Sequence, residues 1–124
     1  MSALTPNLVL LYVKDPLASA DFYQKLFDCE PEGKFPTYVS FAFPSGLQIG
    51  LWSTSAKNFV SGGSGHLSEI AFMLKSEQEV TSLHDKWKKL GVTIEQPPHK
   101  AVFGLTFVAT DPDGHRIRVC LPDN

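Results

Sequence analysis

Chemistry in this chain would have to come from four histidines, two cysteines and scattered carboxylates. Cys29 and Cys120 stand far apart, and neither has an evident histidine partner to make it a nucleophile. No serine lies in a Gly-x-Ser-x-Gly setting. The histidines do not form a metal-binding set. His66 lies three residues before Glu69, and strand alternation puts such positions on opposite faces. His84 falls on a helix and is expected at the surface. His99 follows Pro97-Pro98 in a loop, and His115 occupies the last turn. Nucleophilic catalysis and a histidine-built metal centre are both poorly supported.

Composition narrows the rest. Eleven Lys and Arg against thirteen Asp and Glu give a net charge of −2, and the only basic run is Lys86, Lys88 and Lys89. A nucleic-acid binder needs a basic footprint, so that class is set aside. An apolar fraction of 43% in 124 residues rules out disorder and suits one domain. The longest apolar runs, such as Leu8 to Val13, fall far short of the roughly 18 residues of a membrane span. Met1 to Pro6 has neither a cationic start nor an apolar core, so no secretory signal is expected. Two thiols fit a cytoplasmic protein, although sequence alone leaves a disulfide open.

The elements that would position any site follow from pattern. Asn7 to Val13 reads as a strand. Asp15-Pro16 starts a helix, with Asp15 as N-cap, and Ala18, Phe22 and Leu26 form its apolar stripe beside Leu17. A short strand is indicated near Glu30 to Lys34. Tyr38 to Phe43 and Leu47 to Trp52 are strands joined at Pro44-Ser45-Gly46. The order then returns. Ser68 to Leu74 is a strand, and Ser76 with Glu79 makes a capping box. Val80, Leu83, Trp87 and Leu90 are the second helix's stripe, and Gly91 stops it. Val92 to Glu95, Gly104 to Thr110 and His115 to Leu121 complete the strands.

The two halves superpose as text. Pro44, Gly46, Ile49 and Leu51 fall on Pro112, Gly114, Ile117 and Val119 at a constant offset. The fold class is therefore α+β, with two tandem β-α-β-β-β modules forming a curved mixed sheet around a cleft. Residues 4–54 are module one, 55–65 a linker and 66–122 module two. Pockets form at such junctions.

Val13-Lys14-Asp15, Ala20-Asp21-Phe22-Tyr23 and Asp111-Pro112-Asp113-Gly114-His115 carry a resemblance to the vicinal oxygen chelate superfamily. That superfamily holds glyoxalase I, bleomycin resistance proteins and extradiol dioxygenases. Further segments resemble its phenazine antibiotic resistance branch. They include Thr5-Pro6-Asn7-Leu8, Trp52-Ser53, Ser68-Glu69-Ile70, Val102-Phe103-Gly104 and Arg118-Val119-Cys120. The fold hosts many chemistries, so the resemblance specifies architecture better than activity.

Metal enzymes of the superfamily take four ligands from the first and last strands of the modules. Those positions fall here on Leu8, Gly50, Glu69 and Arg118. Leucine and glycine supply no donor, and arginine is a permanent cation. The resemblance therefore implies neither a metal nor another cofactor, and no catalytic residue. Three readings of Glu69 and Arg118 stand open: an internal ion pair filling the vacant site, an Arg118 that attracts an anionic or carbonyl-bearing ligand, or two side chains that are simply solvated.

If the ligand positions face the cleft, alternation adds their neighbours. The candidate binding set is Trp52, Tyr12, Gly50, Gln48, Glu69, Met73, Phe103 and Arg118. Gly50 leaves room for a flat ring beside Trp52, where the resemblance also puts a stacking tryptophan. Phe41, Phe43, Phe59, Phe103 and Phe107 are candidates for the opposite wall. The implied function is a non-catalytic homodimer that sequesters planar aromatic small molecules such as phenazine antibiotics and so gives resistance. A possible exporter would take over the bound compound. The alternative is a metal-dependent lyase, isomerase or dioxygenase.

Overall fold

A computed structural model describes residues 6–57, 68–102 and 104–122. Most of the linker, with Phe59 and His66, and also Phe103, lie outside the described residues. The chain divides into two compact units. Each holds one helix and one mixed four-stranded sheet.

In the first unit, β1 (Leu8–Val13) leads into α1 (Pro16–Phe27). Asp15 caps that helix by accepting from Leu17 N at 3.1 Å and Ala18 N at 3.4 Å. Asp28 closes it in the left-handed region, φ 55°. Then come β2 (Gly33–Phe35), β3 (Tyr38–Ala42) and β4 (Gln48–Ser53). The sheet order is β1-β4-β3-β2, parallel at β1·β4 and antiparallel elsewhere. The helix packs with Pro16, Ser19, Ala20, Tyr23 and Leu26, so of the expected stripe only Leu26 is buried. Leu17 and Ala18 point outward. Tyr23 is the pivot: buried and stacked on Phe27, it displaces Phe22 to the edge of the core.

The second unit repeats the plan with β5 (Ile70–Met73), α2 (Glu77–Lys89), β6 (Thr93–Ala101), β7 (Gly104–Thr110) and β8 (Arg116–Cys120). Its order is β5-β8-β7-β6. The registers confirm the duplication. Leu10 pairs with Gly50 as Ala71 pairs with Arg118. Gly46 and Gly114 take φ +96° and +90° in matching hairpin turns, a region that disfavours a side chain. The capping box forms as read: Ser76 Oγ accepts from Glu79 N at 3.1 Å, and Glu79 accepts from Lys75 N at 2.8 Å.

Strand β6 runs six residues past the expected end. His99 is therefore in a strand and not in a loop. The pairing slips on either side of Gln96, the second slip spanning Pro97-Pro98. An edge strand tolerates prolines at such irregularities because their missing N–H groups break no interior ladder. His84 is also not at the surface: its ring packs edge-on against Phe107 at 5.3 Å.

Candidate functional site

Each sheet has one face under its helix and one open face. On the first module, Phe41 is buried and meets Phe27 at 5.3 Å, so odd-numbered residues of β3 lie under α1. Phe43 also packs on Phe27. In the second module, Phe107 packs on Trp87. Phe41 and Phe107 are core residues and Phe43 is half-buried beside them; all three lie on the helix faces, not as walls of a ligand site.

The opposite face of the first sheet carries Tyr12, Gln48, Gly50 and Trp52 of the expected set. Tyr12 pairs with Trp52, and Trp52 pairs with Tyr38. Period-two alternation sends all three to the open side, as a row of aromatics across β1, β4 and β3. Tyr12 and Trp52 meet edge-to-face at 6.2 Å. Tyr12 is 42% exposed, and Leu8 and Leu10 of the same strand are 44% exposed. Gln48 is exposed at the end of β4.

Gly50 does not leave the gap that sequence suggests. A Cβ there would meet Tyr38 Cε1 at 2.8 Å and Leu10 Cδ2 at 2.9 Å, with the Tyr38 hydroxyl nearer still. The missing side chain lets the Tyr38 ring lie along the sheet beside Trp52. Sequence reasoning missed Tyr38, although counting outward from the Pro44-Ser45-Gly46 turn pairs it with Trp52.

On the second module, Glu69, Met73 and Arg118 share the open side. Arg118 grips Glu69 with both edges of a fork: Nε donates to Oε1 at 2.7 Å and Nη2 to Oε2 at 3.1 Å. Arg118 Nη1 donates to Thr106 Oγ1 at 3.2 Å, and that hydroxyl donates to the Val119 carbonyl at 2.7 Å. The hydrogen bonds from Arg118 hold the Glu69 carboxyl below its usual range. Arg116 lies 3.4 Å from Glu69 and 2.9 Å from Glu95. Glu95, the extra residue at a slip in β6, had no signal in strict alternation. Met73 is 68% exposed.

A divalent metal does not fit the four superfamily positions. Leu8 offers hydrocarbon, the space over Gly50 holds Tyr38 and Leu10, and Arg118 commits its cationic fork to Glu69. Among the described residues, no three of His, Cys, Asp or Glu gather as a possible metal site.

Two other features are structural. A surface hollow at the end of α1 is bordered by Asp21, Gln24, Lys25, Asp28, Cys29 and Glu30. Its charged rim suits no flat apolar ring, and burial, with Asp28 beside it, pushes the Cys29 thiol up, away from reactivity. In the last turn, His115 Nδ1 lies 2.7 Å from Asp111 Oδ2, while Asp111 Oδ1 accepts from the backbone N–H groups of Asp113 and His115. The Asp111 hydrogen bond raises the imidazole above its ordinary value, against the opposing effect of burial; the nearby charges of Asp111 and Asp113 add to the rise. Protonated His115 therefore adds stability that is complete below the unfolded value of about 6.5 and lost as pH rises through the folded value. His115→Gln should lower the melting temperature more at pH 6 than at pH 9. An equal loss at both would show a contact that does not depend on charge.

With this geometry in place, comparison with known proteins is decisive for the family. The profile of the glyoxalase/bleomycin resistance protein/dioxygenase superfamily matches residues 5–119. The chain belongs to that superfamily. Within it, the chain is 37% identical over 120 residues to the phenazine antibiotic resistance protein EhpR of Enterobacter agglomerans, covering 94% of this chain and 92% of that protein. The solution structure of protein ATC0852 from Agrobacterium tumefaciens is also 37% identical, with a TM-score of 0.82, covering 96% of this chain and 98% of that one. A glyoxalase-related enzyme from Fulvimarina pelagi shares the superfamily fold at 22% identity, with a TM-score of 0.79, over 97% of this chain and 89% of that one. Among the described residues, two helices and eight strands in two mixed sheets are the α+β architecture of the superfamily. Among the described residues, no helix is long and apolar enough to cross a membrane.

Proposed function

We propose that this chain binds planar aromatic compounds, phenazines among them, and withdraws them from solution without transforming them, giving resistance to such antibiotics. The observation that carries the reading is the aromatic row Tyr12, Trp52 and Tyr38 on an open sheet face. Flat rings stack on such surfaces through dispersion and quadrupole complementarity. The name of the Enterobacter agglomerans relative supports the ligand class. The donor chemistry of Leu8, Gly50 and Arg118 supports binding over metal-assisted catalysis.

Residues 1–124 act in this reading as one domain of two modules, in a cytoplasmic homodimer. The two thiols, Cys29 and Cys120, are free, as suits a reducing compartment. The apolar edge strand β1, with Leu8, Val9 and Leu10 each at least 40% exposed, favours a second copy. Light scattering at twice the 13.7 kDa chain mass supports the dimer, and the single chain mass contradicts it.

Titration of tryptophan emission with phenazine tests the binding. Trp52 is only partly buried, so a ring laid on it quenches its emission. Saturable quenching that a chelator leaves unchanged is expected. No quenching, or binding abolished by chelator, would overturn the reading.

A further inference from the structure

The pairing registers of the first sheet extend the aromatic row by one strand. Tyr12 pairs with Trp52, Trp52 with Tyr38, and Tyr38 with Phe35 on the edge strand β2. Residues directly opposite across a ladder share a face, so Phe35 stands on the open side with the other three rings. A second observation agrees. A Cβ at Gly33 would meet Phe35 Cε2 at 3.5 Å and Ser40 Oγ at 3.2 Å, as one at Gly50 would meet Tyr38 and Leu10. Ser40 pairs with both glycines, so Phe35 and Tyr38 each reach over a glycine of the same row of small residues. Apolar side chains scattered singly on a surface are ordinary. Phe35 is 62% exposed, yet it is not scattered: it ends a line of four aromatics that crosses every strand of one sheet.

We propose that Phe35 is a specificity-determining residue of the aromatic site and makes it select linear ligands of three fused rings over those of two. The inference rests on the aromatic-binding reading above and names the ligand class within it. Neighbouring strands stand about 4.8 Å apart, so Trp52, Tyr38 and Phe35 span about 10 Å from the middle of the row to its β2 end. Two fused rings laid on Trp52 reach Tyr38 and stop there. A third ring, fused in line, arrives at Phe35. The other direction is closed. Tyr12 is inclined at 63° to the Trp52 ring and meets it edge-to-face, so a ring lying flat on Trp52 finds Tyr12 as a wall and not as a continuing surface. The backbone holds Phe35 in place. Pro36-Thr37 is the two-residue turn between Phe35 and Tyr38. Pro36 fixes one torsion of that turn, and Ser53 N donates to the Thr37 carbonyl at 3.0 Å, which ties the turn to β4. A side chain presented on an ordered backbone loses less freedom when a ligand covers it. Covering the exposed ring also removes apolar surface from water, a gain open only to a ligand long enough to reach it.

A matched pair of probes tests this by equilibrium dialysis. Phenazine and quinoxaline share a pyrazine ring and differ by one fused benzene ring. Phe35→Ala should weaken phenazine binding by about three- to tenfold and leave quinoxaline within about twofold, so that the preference for phenazine narrows. Phe35→Tyr keeps the ring and should bind both probes as wild type does. Melting temperatures should stay close to wild type, because Phe35 is exposed. If Phe35→Ala does not fold, Phe35→Leu, apolar but without a ring, is read in its place. An unchanged ratio of the two affinities in the folded ringless variant, whether both hold or both fall together, overturns the inference and leaves the aromatic-binding reading standing. Where quinoxaline binds too weakly to measure, the phenazine affinities of the ringless and Phe35→Tyr variants decide, and equal values overturn the inference. Failure of the wild type to bind phenazine overturns the aromatic-binding reading itself, and the inference with it.

Discussion

Trp52→Ala should weaken binding of phenazine by about ten- to a hundredfold while the protein stays folded. Trp52 lies at the centre of the aromatic row, flanked across the sheet by Tyr12 and Tyr38. Stacking on its face gives about 0.5–1.5 kcal/mol beyond area burial, and loss of the ring also removes burial worth roughly 25 cal/mol per Å². The residue is on the side of β4 away from α1, and its ring is only partly buried, so the core beneath is untouched. The same variant should lose most of the ligand-induced quenching, because the remaining tryptophan, Trp87, is buried under α2. A folded Trp52→Ala protein that binds phenazine like wild type would remove Trp52 from the site. Lost stability, with binding tracking the folded fraction, would make it a core residue.

Trp87→Ala should do the reverse, lowering stability by about 3–5 kcal/mol. Trp87 is fully buried and meets Phe72 and Phe107 edge-to-face, both at 5.6 Å. It is the only large ring that α2 inserts into its sheet among the described residues; His84 beside it reaches Phe107 from the rim. Truncation leaves a cavity that Val80 and Val92 are too small to fill. Domains of this size have a stability of only about 5–15 kcal/mol, so the loss is a large share of the total. The melting temperature should fall by about 10–20 °C. A drop of a degree or two would mean that the second module closes around the cavity.

Local chemistry made much of this fold legible. Asp15-Pro16 and Ser76 with Glu79 cap their helices in the way their side chains allow, because a cap involves only the next three or four residues. The glycines of the two hairpin turns exposed the duplication for the same reason. Faces were harder. Phe22 and Tyr23 are both large and aromatic, and only packing against Phe27 and the sheet selects Tyr23 for the core. Pro97-Pro98 reads as a strand terminator, yet an edge position tolerates it.

The site shows the same division. Tyr12, Gln48 and Trp52 were readable as one face only with the superfamily's ligand positions, here Leu8 and Gly50, as anchors from which alternation extends. Tyr38 was not, because its place beside Trp52 depends on a hairpin register, and its ring position depends on the absent side chain of Gly50. Glu95 reaches Arg116 only because β6 slips by one residue. The Glu69 and Arg118 pair joins residues 49 positions apart, and the sequence could not choose between mutual pairing and a role toward ligand.

Equilibrium dialysis of phenazine against the wild-type protein, with mass analysis of the compound recovered after denaturation, addresses binding and chemistry together. Phenazine should accumulate on the protein side in proportion to protein added, and should return unchanged in mass and amount. Conversion of phenazine to another species, in amounts exceeding the protein present, would contradict a binder that sequesters its ligand and would establish an enzyme.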